Sequence, residues 1–157
     1  MSAPAPPGGV IASLTVPARP DRLALVRAVV RAALPLVGLA AGDDAAEELV
    51  LAVDEACQNV VRHAYGGRGD GEMTLALRHE GAPPALVVEL ADHGTPVEAA
   101  ALPERDLADV RPGGLGLHFI RSVMDGVEWV TPAPGGGNLL RLTRRLDGGE
   151  SKGESPA

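Results

Sequence analysis

Apolar and polar residues alternate along residues 10–16, the period-two pattern of a strand with one buried face. Leu23, Val26, Val30 and Ala33 then return at helical spacing, with Asp21 placed to cap the helix and Pro35 and Gly38 placed to end or kink it. The clearest helix follows, with Leu49, Ala52, Val53, Ala56, Val60 and Ala64 on one stripe. Asp44-Ala-Ala-Glu47 before that stripe reads as an acidic version of a capping box, and Gly66-Gly67 after it should stop the helix.

Residues 73–78 and 86–91 read as two strands joined through a turn over 81–84. Residues 93–113 carry Pro, Gly, Ala and charges without periodicity and read as a long loop with at most a short helix, a length that usually signals function or mobility. A glycine-opened helix is predicted over 115–124, then strands over 126–131 and 138–146. The order predicts an α/β protein: a two-layer α/β sandwich whose mixed, mostly antiparallel sheet carries helices on one face. One domain over 10–146 is expected, between a loose N-terminus (1–9) and a disordered tail (147–157).

Composition narrows the function classes. Hydrophobic residues make up 45% and aromatics only 2%, so the core must be filled by Leu, Val and Ala, and stacking on bases has almost no material. A net charge of −7 removes the general attraction to a phosphate backbone, and no direct nucleic-acid role is expected. Cys57 is the sole cysteine, which excludes an internal disulfide and a cysteine-based zinc site and fits a reducing compartment. No signal pattern opens the chain, and no apolar run approaches the ~18 residues of a membrane span, so a cytoplasmic protein without membrane attachment is expected. Lys152, in the Gly/Ser/Glu tail, is the only lysine. The folded part therefore lacks the phosphate-binding lysine of a P-loop or of a eukaryotic-type protein kinase.

Three stretches carry candidate chemistry. Glu55 and Asn59 lie four apart on the long helix, on one face at the edge of its apolar stripe. An amide oxygen and a carboxylate there suit a hard cation and its waters, and the carboxylate can accept a proton from a hydroxyl; the plain alternative is the polar edge of an amphipathic helix. Asp92 ends a buried strand and is followed by Gly94, leaving a fixed acceptor beside room for a planar ligand such as adenine, whose exocyclic amine is a donor. A simple turn is the alternative there. Gly113-Gly114-Leu115-Gly116-Leu117 runs into a helix, where backbone amides can approach an anion, or where glycines merely open the helix. His63 falls on the apolar stripe and reads as half-buried and structural, while His79, His93 and His118 form no metal-ligand spacing. Arg105 and Arg111 lie in the long loop, within reach of a phosphate but more in keeping with solvent exposure.

The series Glu55-x-x-x-Asn59 with His63-Ala64-Tyr65, Asp92-x-Gly94-x-Pro96, Gly113-Gly-Leu-Gly-Leu117 with Ile120-Arg121 and Met124-Asp125, then Gly137-Asn138, occurs in order. It resembles the anti-sigma factor serine-protein kinases of bacteria, a branch of the ATPase superfamily that includes gyrase, MutL and histidine kinase ATP domains. The resemblance covers residues 10–146 and implies a Bergerat-type ATP-binding fold. It implies that Asn59 coordinates Mg²⁺, that Glu55 is the general base, and that Asp92 and Gly94 receive adenine. By the same resemblance Gly113, Gly114, Leu115, Gly116 and Leu117 form the phosphate-binding lid and helix start, and Asn138 closes the adenine side. Pro96 stands where ATPase relatives usually have glycine, and Asn138 where threonine is common. The implied activity is an ATP-dependent serine kinase that binds a sigma factor, phosphorylates an anti-anti-sigma (STAS) partner and forms a homodimer. The other reading is a nucleotide-gated module that holds a partner without phosphorylating it.

Overall fold

The computed structural model describes residues 8–95, 114–130 and 136–147. Strand β1 (Gly9–Pro17) leads through a 3-10 turn, Pro20–Arg22, into helix α1 (Leu23–Ala33), which a second such turn, Leu34–Val37, closes at Pro35 and Gly38. Helix α2 (Asp44–Asn59) continues into a single π-helical turn, Val60–Ala64. Strands β2 (Glu72–Gly81) and β3 (Pro84–Asp92), helix α3 (Gly114–Val123) and strands β4 (Gly126–Val130) and β5 (Asn138–Arg145) complete the order. Expectations for residues 1–7, for the loop with Pro96, Arg105, Arg111 and Gly113, and for the tail with Lys152 lie outside the described residues.

The five strands form one sheet in the order β1-β2-β3-β5-β4, antiparallel at every described pairing. Alternation gives the sheet one apolar face: Met73, Leu75 and Leu77 of β2, Leu86, Val88 and Leu90 of β3, and Leu140 and Leu142 of β5 are buried in the core. Val26 and Val30 of α1, Leu49, Ala52, Val53 and Ala56 of α2, and Ile120 of α3 fill the same core. Helix α2 is the central helix, packed against both α1 and α3. Its small alanines let the neighbours come close, and truncating the fully buried Leu49 to alanine would cost about 2–5 kcal/mol.

The other face carries charge. Arg78 of β2 and Arg141 of β5 donate to the two oxygens of Glu89 on β3 at 3.2 and 3.4 Å, and Arg141 also meets Glu128 of β4 at 3.7 Å. The signs alternate across four strands. Directly opposite pairs in this part of the sheet include Glu89 with Arg141 and Asp92 with Asn138.

Three local expectations are corrected. Asp21 does not cap α1; its carboxylate pairs with Arg19 and Arg22 at 3.2 and 2.9 Å, because the chain enters through the 3-10 turn at Pro20. The Asp44/Glu47 capping box is absent: the N-cap position is Asp43, without a side-chain cap, and Glu47 is drawn across to Arg31 of α1 by two hydrogen bonds of 3.2 and 3.1 Å. His63 is exposed rather than half-buried. The wider π turn rotates the chain off the 3.6-residue stripe, so Val60, Val61 and Ala64 turn inward and His63 turns out.

Candidate functional site

The exposed edge of α2 and the turn that ends it touch both remaining candidate segments. Glu55 and Asn59 are half-buried one turn apart, and neither has a hydrogen bond or ion pair among the described residues. Glu55 reaches α3: a Cβ added at the buried Gly116 would lie 2.5 Å from its Oε2 and 3.4 Å from its Cδ. The missing side chain at Gly116 is thus what admits a carboxylate against the first turn of α3. That turn presents backbone N–H groups without intrahelical partners, a setting that favours negative charge.

Nine residues further on, about 13 Å along the helix direction, the same segment meets the end of β3. Thr95 donates its backbone N–H to the Ala64 carbonyl at 2.6 Å, and a Cβ on Gly94 would collide with that carbonyl. Only glycine fits. The Tyr65 hydroxyl adds a second tie, donating to the Glu72 carbonyl at 2.7 Å and accepting from the His93 N–H at 2.9 Å. Its ring occupies the space where a side chain on Gly71 would be.

Asp92 lies inside this frame, only 4% exposed. Its Oδ1 accepts from the Gly94 N–H and from Asn138 Nδ2, both at 2.9 Å, and the same Nδ2 donates to the Thr95 carbonyl at 2.9 Å. No described residue donates to Oδ2. Because no enclosed side-chain oxygen among the described residues lacks a partner, Oδ2 must face accessible space. A carboxylate so fixed can accept one hydrogen bond from a ligand and discriminates by the ligand's donor. Gly137 completes the wall, since a Cβ there would strike the Asp92 carbonyl.

A polar network backs the helix. Asp54, 7% exposed, accepts from Arg27 of α1 at 3.0 Å and from Gln58 at 2.7 Å, and Gln58 accepts from Arg62 of the π turn at 2.7 Å. Beside it Cys57 is fully buried, and burial, with a smaller push from the Asp54 charge, raises its thiol to about 12. That thiol stays protonated and inert.

The sequence-derived residues therefore fall into two groups. Glu55 and Gly116 meet, and Asn59 lies one turn from Glu55; Asp92, Gly94 and Asn138 meet at the other end. Gly114 opens α3, Leu115 lies in its first turn and Leu117 is half-buried there, while Gly113 lies outside the described residues. Sequence reasoning passed over the parts played by Tyr65 and Asp54. Tyrosine at the foot of the helix, one of three aromatic residues in the chain, was the available signal for the first. Asp54 had one too, since it falls beside the apolar stripe, where an acid needs a partner.

An antiparallel five-stranded sheet with helices on one face agrees with the fold of a histidine kinase-like ATPase domain. Consistent with this, the family model described as histidine kinase-like ATPase domain matches residues 16–144. The chain is 34% identical over 129 residues to the serine-protein kinase RsbW of Listeria monocytogenes serotype 4a, covering 74% of this chain and 76% of the relative. It is 30% identical over 141 residues to the protein of that name in Halalkalibacterium halodurans (85% and 82%), and 28% over 143 residues to that in Bacillus velezensis (86% and 85%). The chain belongs to the serine-protein kinase RsbW branch of the histidine kinase-like ATPase family, as its motif series indicated.

Proposed function

We propose that the protein is an ATP-dependent serine kinase that binds a sigma factor and phosphorylates a serine of an anti-anti-sigma partner. The observation that carries this reading is the reach of one segment between the two candidate half-sites: Glu55 lies at the helix start of α3, and Ala64 holds the loop beside Asp92. Kinship to proteins named serine-protein kinase supports the activity. Adenine would be read by Asp92 Oδ2 through its amine, and the triphosphate would lie towards Gly114 and Gly116.

The donors present fit a magnesium ion shared with the nucleotide. Among the described residues Asn59 offers an amide oxygen without a hydrogen-bond partner, and no cluster of three His, Cys, Asp or Glu able to enclose an ion occurs. Such an ion would be held by Asn59 together with oxygens of the nucleotide and water, and would supply charge neutralisation. Glu55 takes the proton of the partner's serine hydroxyl as the serine oxygen bonds to the γ-phosphorus, and the bond from that phosphorus to the bridging oxygen breaks to release ADP. Positioning and electrostatics provide most of the acceleration.

Incubation with γ-labelled ATP and a set of anti-anti-sigma proteins tests the reading. Transfer to serine on one of them that disappears in Glu55→Ala is expected. Absence of transfer to every such partner rejects the kinase assignment, and full transfer by Glu55→Ala rejects Glu55 as the general base. Sigma-factor release by ATP without any phosphoprotein would instead define a nucleotide-gated module.

A further inference from the structure

Asn138 is the residue at the nucleobase end whose role the geometry redefines. It faces Asp92 directly across β3 and β5 and is 6% exposed. The nitrogen of its side-chain amide spends both of its hydrogens inside the protein, one on Asp92 Oδ1 and one on the Thr95 carbonyl. With the Gly94 N–H, it saturates Oδ1 and leaves Oδ2 as the only oxygen of that carboxylate open to a ligand. A lone donor on Oδ1 would leave the carboxylate free to rotate about its last torsion, whose energy well is broad. Two donors, one from the loop after β3 and one from β5, fix its plane. By also holding Thr95, the same nitrogen ties the loop to that plane.

Resting on the ATP-binding reading above, we infer that Asn138 is a specificity-positioning residue: it does not touch the base, but holds Asp92 and Thr95 so that one carboxylate oxygen selects a purine bearing an exocyclic amine. A threonine at this position has a single hydroxyl hydrogen and cannot bridge both acceptors. Asparagine therefore makes the orientation of Asp92 a property of the protein before ligand arrives.

The test compares ATP with purine riboside triphosphate, which lacks the amine, by calorimetric titration in the presence of magnesium. Wild type is expected to prefer ATP by about tenfold or more, the effect of one hydrogen bond to a charged acceptor. In Asn138→Ala the affinity for ATP should fall about tenfold while that for purine riboside triphosphate stays within about twofold, collapsing the ratio. Equal losses for both nucleotides, or an undiminished ratio, overturn the proposal, because general damage to the fold would weaken both alike. A wild type that binds neither nucleotide rejects the ATP-binding reading itself, whereas one that binds both equally rejects only the selective role of Asp92. A crystal structure of the wild type with ADP decides independently of how well the variant folds. The Asn138 amide is expected to remain on Asp92 Oδ1 and the Thr95 carbonyl, and an amide that has left them for the base refutes the inference.

Discussion

The two ends of the candidate site are built on opposite principles. At the Asp92 end the groups are already tied to one another: Asn138, Gly94, Thr95, His93 and Tyr65 are joined by hydrogen bonds of 2.6 to 2.9 Å, and of the Asp92 carboxylate one oxygen has no donor among the described residues. At the Glu55 end the side chains of Glu55 and Asn59 have no hydrogen bond among the described residues. On the proposed function, the contrast separates two tasks. Selecting a base needs a rigid acceptor whose orientation costs nothing at binding, whereas handling phosphate, metal and a moving proton needs groups that are still free to bond.

If that division holds, damage at the two ends should look different. Glu55→Gln should lower phosphotransfer by about 10²–10⁴-fold, the usual contribution of a general base, while ATP affinity measured by calorimetry changes by no more than about twofold. A parallel loss of binding would show that the Glu55 end also organises the ground state. Gly94→Ala should act on the fold, because its Cβ meets backbone rather than a side chain that can swing away. A loss of about 2–3 kcal/mol in urea unfolding, with weaker nucleotide binding, is expected. Tyr65→Phe keeps the ring beside Gly71 and removes only the hydroxyl; about 1 kcal/mol of stability should go, with faster hydrogen exchange at the His93 amide. Unchanged exchange there would mean that the Ala64 carbonyl alone secures the loop.

The smallest effect is expected far from both ends. Hydrogen bonds from Arg31, then its charge, hold the Glu47 carboxyl below the ordinary glutamate value. A folded-state pKa below the unfolded one gives stability that is present above about pH 4.3 and lost as pH falls through the folded value. Glu47→Gln should therefore lower stability slightly at neutral pH, leave it unchanged at the acid end and so flatten the acid limb a little, a small effect because both partners are exposed, with nucleotide binding spared.

Much of this architecture was legible in the chain because it depends on neighbours in sequence. The stripe from Leu49 to Ala64 is buried as its spacing required, Cys57 included, and Asp92 stands at the end of a buried strand. What escaped depends on neighbours in space. Glu47 looked like half of a capping box because Arg31 of another helix is invisible at that range. Asp21 is the exception, since its partners Arg19 and Arg22 are near in sequence and it is the 3-10 turn at Pro20 that takes it from the cap position. The π turn was hidden for a related reason: one extra residue per turn is set by the packing of Val60, Val61 and Ala64 against the core, not by any single residue type. His63 was misplaced as a direct result. Gly94 and Gly116 were expected to contact ligand, and in the structure each makes room for protein, a carbonyl in one case and a carboxylate in the other.

The charged face of the sheet has a consequence for those same residues. Apolar alternation punishes a one-residue slip between β3 and β5, which would drive either Glu89 or Arg141 under the helices, but a slip of two keeps every side chain on its proper face. Opposite charges set across the strands answer that second error, since sliding by two parts Glu89 from Arg141. The ladder thus proofreads the alignment, and three positions along the same two strands that alignment is what brings Asn138 to Asp92.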